Sequence, residues 1–191
     1  MRVLIIDELE ERAELLRDGL RQAGCEVTAS LSSPFALLES IESEQPDVIV
    51  IDTDSPSRDV LEHLVMVSQR TPRPIVMFAS DGAPDTIRDA VRAGVSAYVV
   101  DGLDPARLRT IVDVAIARFE DFQSLRAELA DAKEQLAERK LVERAKGLLM
   151  KSRDLDEDAA YTALRKMAMD RSLRLAEVAQ RIIDAADLLG A

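Results

Sequence analysis

The chain has 191 residues, 47% apolar and 32% charged, which is enough for one large domain or two small ones with long exposed helices. Aromatic residues make up only 3% and Trp is absent, which argues against an aromatic-lined sugar site or a stacking platform for single-stranded bases. The net charge of −11 sits in residues 1–124 (12 basic, 23 acidic), while residues 125–191 carry 13 of each, so a uniformly basic nucleic-acid coat is excluded.

Residues 1–116 alternate short apolar runs with amphipathic segments. The runs lie at 3–6, 27–30, 48–51, 75–78 and 97–100. Helical patterns lie near 10–23, 34–43, 57–70 and 84–93, and another begins near Asp104. Three of the runs are nearly all apolar, as strands buried on both faces must be. Gly24, Pro46, Pro72, Pro74 and Gly94 punctuate the joints. Five β-α units in series predict a parallel sheet with helices on both faces, the flavodoxin-like form of the doubly wound α/β fold.

Only four apolar residues precede Asp7 and Glu8, too few for a signal peptide, and no apolar run approaches the roughly 18 residues of a membrane span. A cytoplasmic protein that does not enter a membrane is therefore expected. The single Cys25 has no partner for an internal disulfide and reads as a small apolar residue near the core. His63 is the only histidine, there is no Cys/His cluster for zinc, and no nucleophile motif is present, so no enzyme is expected.

From about Asp104 the pattern becomes wholly helical, with Gly147 the only Gly or Pro between Pro105 and Gly190. Phe122, Leu125, Leu129, Ala132 and Leu136 form a heptad seam, which predicts a coiled-coil linker over 117–140 and a homodimer through residues 118–140. Three short helices follow. The first ends the long helix through Leu141, Ala145, Leu148 and Leu149. The second starts after an N-cap at Asp156 and buries Ala160, Ala163, Leu164, Met167 and Ala168. The third runs from about 173 to 189 with Leu175, Val178, Ala179, Ile182 and Ile183 inward. Helices this short are stable only when packed together, which predicts an all-α three-helix domain. Tyr161 is expected as a half-buried core tyrosine rather than a base-stacking contact, and Met150, Met167 and Met169 as core filler.

Ligands of a doubly wound sheet bind at the carboxyl ends of its strands. There strand one ends in Asp7-Glu8 and strand three in Asp52, on adjacent strands in this fold. Three converging carboxylates predict a site for a hard divalent cation such as Mg²⁺. A carboxylate beside such a cation can attack a phosphoryl donor.

Ile5-Ile6-Asp7-Glu8, and Asp52 followed by Pro56 and Asp59, resemble the receiver domain of two-component response regulators. The resemblance covers residues 1–116. It implies that Asp7, Glu8 and Asp52 bind Mg²⁺, that Asp52 is phosphorylated, and that Thr53 or Asp54 offers a backbone carbonyl to the metal. Two positions depart from the family pattern. Ala79 stands where it has Thr or Ser at the end of strand four, with Ser80 one place late. Asp101, followed by Gly102, stands where it has Lys and then Pro, which reverses the charge that would pair with a phosphoryl group. Two readings stay open, a phosphorylated Asp52 and a pseudo-receiver whose acids are remnants.

Between Arg139 and Arg153 six basic residues (Arg139, Lys140, Arg144, Lys146, Lys151, Arg153) face one acid, Glu143, which marks a place for a polyanion. No compact helix–turn–Gly–helix pattern is present, which favours RNA over a helix-turn-helix DNA binder. Glu143-Arg-Ala-Lys-Gly-Leu-Leu-Met150, followed by Ala160-Tyr, Leu164-Arg, Ala168-Met and Leu175-Ala-Glu-Val-Ala, resembles the ANTAR domain over 125–186. With the receiver part, the chain resembles the NasT type of nitrate-assimilation antiterminators. That resemblance implies binding to paired hairpins in leader RNA, transcription antitermination at nitrate or nitrite assimilation genes, and restraint by a nitrate-sensing partner protein. Lys146, Gly147, Lys151, Arg153, Arg165, Arg171 and Arg174 are the expected RNA-binding residues. The alternative function is a DNA-binding response regulator.

Overall fold

In a computed structural model, which describes residues 1–100 and 104–189, the chain forms two compact units, Met1–Gln123 and Ser124–Ala191. The first unit holds five parallel strands: β1 (Arg2–Asp7), β2 (Glu26–Leu31), β3 (Val48–Thr53), β4 (Ile75–Ala79) and β5 (Ala97–Val100). Their order is β2-β1-β3-β4-β5, the flavodoxin-like doubly wound sheet. The helices are α1 (Glu10–Gln22), α2 (Leu37–Glu44), α3 (Arg58–Arg70), α4 (Pro84–Arg92) and α5 (Pro105–Arg153), followed by α6 (Glu157–Asp170) and α7 (Leu175–Leu189).

Strand side chains alternate between two cores, as a period of two requires. Leu4, Ile6, Ile49, Ile51, Ile75 and Met77 pack with α2, α3 and α4 on one face. Val3, Ile5, Val48, Val50, Val76 and Phe78 pack with Leu16 and Leu20 of α1 and Leu108, Val112 and Ala115 of α5 on the other. Cys25 is buried in this second core. Gly94 has φ +106 where α4 turns into β5, and an added Cβ would meet the Ser68 Cβ at 2.8 Å, so only glycine suits this joint.

The helix expected near 34–43 begins instead with a 3₁₀ turn at Pro34–Ala36, because Pro34 sits at its start and the Ser33 hydroxyl accepts the Phe35 amide. The linker expected over 117–140 lies within the 49-residue α5. In α5 the Asp104 carboxylate accepts the Ala106 amide at the start, and the helix stops where Asp154 takes a left-handed φ of 53. Asp156 caps α6 by accepting the Ala159 amide at 2.7 Å. α7 starts at Leu175, two residues later than the pattern predicts, and Glu177 Oε2 reaches back to accept the Arg174 amide. Ala145, Leu149, Ala160, Leu164, Ala168, Val178, Ala179 and Ile183 form the core of the second unit.

Candidate functional site

The acidic pocket lies at the carboxyl edge of the sheet. Asp7 and Asp52 end neighbouring strands and are paired in register. Asp7 is 3% exposed. Its Oδ1 accepts the Leu9 amide at 2.8 Å and Arg12 Nη2 and Nε at 3.2 and 3.3 Å, while its Oδ2 is buried and has no donor. A buried carboxylate oxygen without a donor fits a hard cation. Burial pushes the Asp52 carboxyl above the usual aspartate range, Arg12 opposes the shift, and Asp7 and Asp54 add to it. Asp7 and Asp52 therefore fit a divalent ion as a pair.

Glu8 is the third acid of the expected set. It is exposed, and no group of three acids among the described residues lies close enough to share a metal. It falls just past the strand, where the chain turns outward into α1. The Asp54 carbonyl already accepts the amides of Ser80 at 3.1 Å and Asp81 at 3.0 Å, which removes it as the ready backbone donor to a metal. Ala79 is buried at the end of β4, as its alignment predicts. Asp101 and Gly102 lie outside the described residues.

Pattern reading missed three residues here. Arg12, on the first turns of α1, also donates to Asp54 Oδ1 at 2.6 Å. Asp81 gathers the Ser55 hydroxyl at 2.9 Å, the Thr86 hydroxyl at 3.0 Å and the Ala83 amide at 2.9 Å, which hold its carboxyl below the usual aspartate range. Tyr98 of β5 donates its hydroxyl to the Asp81 carbonyl at 2.7 Å. Together they tie the β3–α3 loop, the β4–α4 loop and β5 across the pocket edge. An isolated Arg or Tyr carries no motif, so no signal in the pattern marked them.

In the second unit α5, α6 and α7 border an open cleft of about 540 Å³, lined among others by Arg139, Tyr161 and Arg174, with Glu138 and Glu143 beside them. Tyr161 is 43% exposed over this cleft, and Met169, 71% exposed, lies outside the core expected to hold it. Met167 packs against the core as expected, whereas Met150 is exposed and not part of it. Arg165 lies four residues after Tyr161 and shares its helix face. Lys151, Arg153, Arg165, Arg171 and Arg174 are exposed, and their side chains make no ion pair among the described residues.

Lys146 differs from these. It is 7% exposed, and its Nζ bonds Glu157 Oε1 at 2.7 Å and Glu143 Oε2 at 2.9 Å, fastening α5 to the first turn of α6. It is therefore no phosphate-facing cation in this arrangement. Arg144 is likewise committed, to Asp187 on α7 at 3.0 Å. A Cβ at Gly147 would meet nothing within 4 Å, so no neighbouring helix requires that glycine.

The bond from Lys146 holds Glu157 below the usual glutamate range, and Glu157 and then Glu143 lift Lys146 above the usual lysine value. A lowered glutamate contributes stability that is present above 4.5 and lost as pH falls through its lowered value. A raised lysine contributes stability that is present below 10.5 and lost as pH rises past its raised value. Melting of the second unit is thus expected to weaken below the glutamate range. Glu157→Gln should flatten that acid limb in circular-dichroism melts taken from about pH 3 to pH 7. An unchanged acid limb would assign the acid sensitivity to other groups.

Comparison with known proteins places these two sites in a family. The model of the response regulator receiver domain matches residues 3–113, and that of the ANTAR domain matches residues 130–183. The transcriptional regulatory protein PdtaR of Mycobacterium tuberculosis is 30% identical over 183 residues, 96% of this chain and 89% of that protein. The nitrate regulatory protein of Klebsiella oxytoca is 44% identical over 63 residues, 33% of this chain and 16% of that protein. A CheY-like receiver domain from Methanospirillum hungatei superposes with a TM-score of 0.54 at 21% identity, covering 63% of this chain and 96% of that one. The acidic strand ends of the first unit and the helical second unit thus carry one conclusion: the chain belongs to the response-regulator family, with a receiver domain joined to an ANTAR domain as in the NasT type.

Proposed function

We propose that the chain is an RNA-binding transcription antiterminator whose receiver domain controls its ANTAR domain. The observation that carries this reading is the cleft of the second unit, where Tyr161, Arg139 and Arg174 stand exposed beside Glu138 and Glu143, the latter paired to Lys146, in a chain of net charge −11. Exposed cations attract the phosphates, and an exposed aromatic ring offers a face to an unstacked loop base. The match to the Klebsiella oxytoca nitrate regulatory protein supports leader RNA of nitrate or nitrite assimilation genes as the target and a nitrate-sensing protein as partner. No helix among the described residues is long and apolar enough to cross a membrane. The test is a binding titration at stated salt with leader hairpin RNA and with duplex DNA of equal length. Preference for the hairpin supports the reading, and preference for the duplex supports a DNA-binding response regulator instead.

In the receiver, Mg²⁺ would be held by Asp7 and Asp52 and would neutralise the oxygens of an incoming phosphoryl group. Asp52, partly exposed at its strand end, is the acceptor in this reading, and Asp7 orients the ion through its free oxygen.

The exposed seam supports a homodimer. Leu125, Leu129 and Leu136 are 63%, 56% and 54% exposed on α5, and a second copy is the partner that a heptad stripe fits. Replacing the three with Gln is expected to convert dimer to monomer in analytical ultracentrifugation, with helicity retained. A dimer that persists would place the interface elsewhere.

A further inference from the structure

We propose that Arg12 is a built-in counter-ion of the receiver pocket, one that competes with a divalent cation for Asp7 and so sets how tightly the pocket takes metal. The proposal rests on the cation reading of the Asp7–Asp52 pair given above.

Arg12 is placed for this role by α1, which starts directly after the acidic end of β1. Its guanidinium bridges two acids from different elements, Asp7 at the end of β1 and Asp54 beyond β3, with contacts of 3.2 and 3.3 Å to the first and 2.6 Å to the second. The fork geometry of arginine suits this bridging, which a lysine point charge could not reproduce. The load on Asp7 is lopsided: Oδ1 takes the Leu9 amide and two guanidinium nitrogens, while buried Oδ2 takes none. A metal bound at Oδ2 would therefore sit beside a fixed positive charge in a poorly solvated place. Like charges at that range repel strongly when partly shielded from water. The metal must either bind against this repulsion or push the guanidinium out toward Asp54, which is 79% exposed. Both routes weaken the metal.

The arrangement has a second consequence. With Arg12 in place, Asp7 is neutralised without metal, so the folded pocket does not depend on a divalent ion. Pushing the guanidinium toward Asp54 would shift its bond onto that residue, whose carbonyl anchors the Ser80 and Asp81 amides. Metal uptake is thereby coupled to the loops that carry Asp81 and the Tyr98 bond.

The test uses the full-length protein. MnCl₂ and MgCl₂ are titrated into wild type, Arg12→Gln, Arg12→Met and Arg12→Lys by calorimetry, with electron paramagnetic resonance counting free Mn²⁺. Melts in EDTA and in excess MgCl₂ run alongside, and far-ultraviolet circular dichroism checks folding. Arg12→Gln and Arg12→Met are expected to bind Mn²⁺ at least ten-fold tighter than wild type, with Arg12→Lys in between. In EDTA the two neutral variants should melt lower than wild type, and MgCl₂ should raise them more than it raises wild type. Arg12→Met keeps the aliphatic stem, so it serves if Arg12→Gln does not fold. Equal or weaker binding in the neutral variants overturns the counter-ion role and makes Arg12 a group that orients Asp7 for the metal. Absence of Mn²⁺ binding in every protein overturns the cation reading of the pocket, and the proposal with it.

Discussion

Replacing Arg139, Arg165 and Arg174 together by Ala is expected to weaken hairpin RNA binding roughly 100-fold while leaving helicity and dimerisation intact. The side chains of these residues are exposed and make no ion pair among the described residues, so their loss removes no internal bond. Arg139 and Arg174 line the cleft with Tyr161, and Arg165 follows Tyr161 by one helical turn. Each exposed phosphate contact contributes on the order of 1 kcal/mol, and about 1.4 kcal/mol is a tenfold change in affinity. Each also releases counter-ions, so the log–log salt slope should flatten by roughly 0.7–0.9 per arginine. Alanine favours helix at least as well as arginine at positions 139 and 165, and Arg174 lies before α7, so the fold of the variant is protected. Lys146→Ala provides the contrast. It removes the bonds to Glu157 and Glu143, so its effect on RNA should track a fall in melting temperature, with the salt slope of the folded fraction near wild type. The surface assignment fails if the triple variant keeps wild-type affinity and slope.

Leu164→Ala is expected to cost the second unit about 2–5 kcal/mol, enough to unfold much of it at physiological temperature. Leu164 is fully buried on α6, in the core with Ala145 and Leu149 of α5 and Val178, Ala179 and Ile183 of α7. Four of the eight buried core residues, Ala145, Ala160, Ala168 and Ala179, are alanines that cannot extend into the space, so the site collapses only in part and a cavity remains. Calorimetry should show a lowered transition for the second unit and an unshifted one for the receiver, whose two cores do not include Leu164. Hairpin affinity should fall with the folded fraction. A single unchanged transition would mean that the two units melt as one and that Leu164 is dispensable.

Much of this protein is legible in residue order because the signals are local. Short, nearly all-apolar runs placed the strands, and strand-end acids on neighbouring strands placed Asp7 beside Asp52. Asp156 was legible as a cap because a cap needs only the next three residues. The stripe of Ala160, Leu164 and Ala168 was legible because helix geometry repeats every 3.6 residues. The ANTAR resemblance carried the second half because its motif is a run of adjacent residues.

The cations were not legible in this way. A basic residue reads the same in sequence whether it is solvated or spent on a partner far along the chain. Tertiary structure alone decided that Lys146 is spent on Glu157 eleven residues away and Arg144 on Asp187 forty-three away. It also decided that Arg12 bridges into the acidic pocket to Asp54 forty-two residues away, and that Tyr161 faces a cleft. The sequence by itself therefore determined the elements, their order and the two strand-end acids, because those follow from periodicity. Only the packed chain decided which charges remain available, because a charge is neutralised by whatever the fold brings within about 4 Å of it.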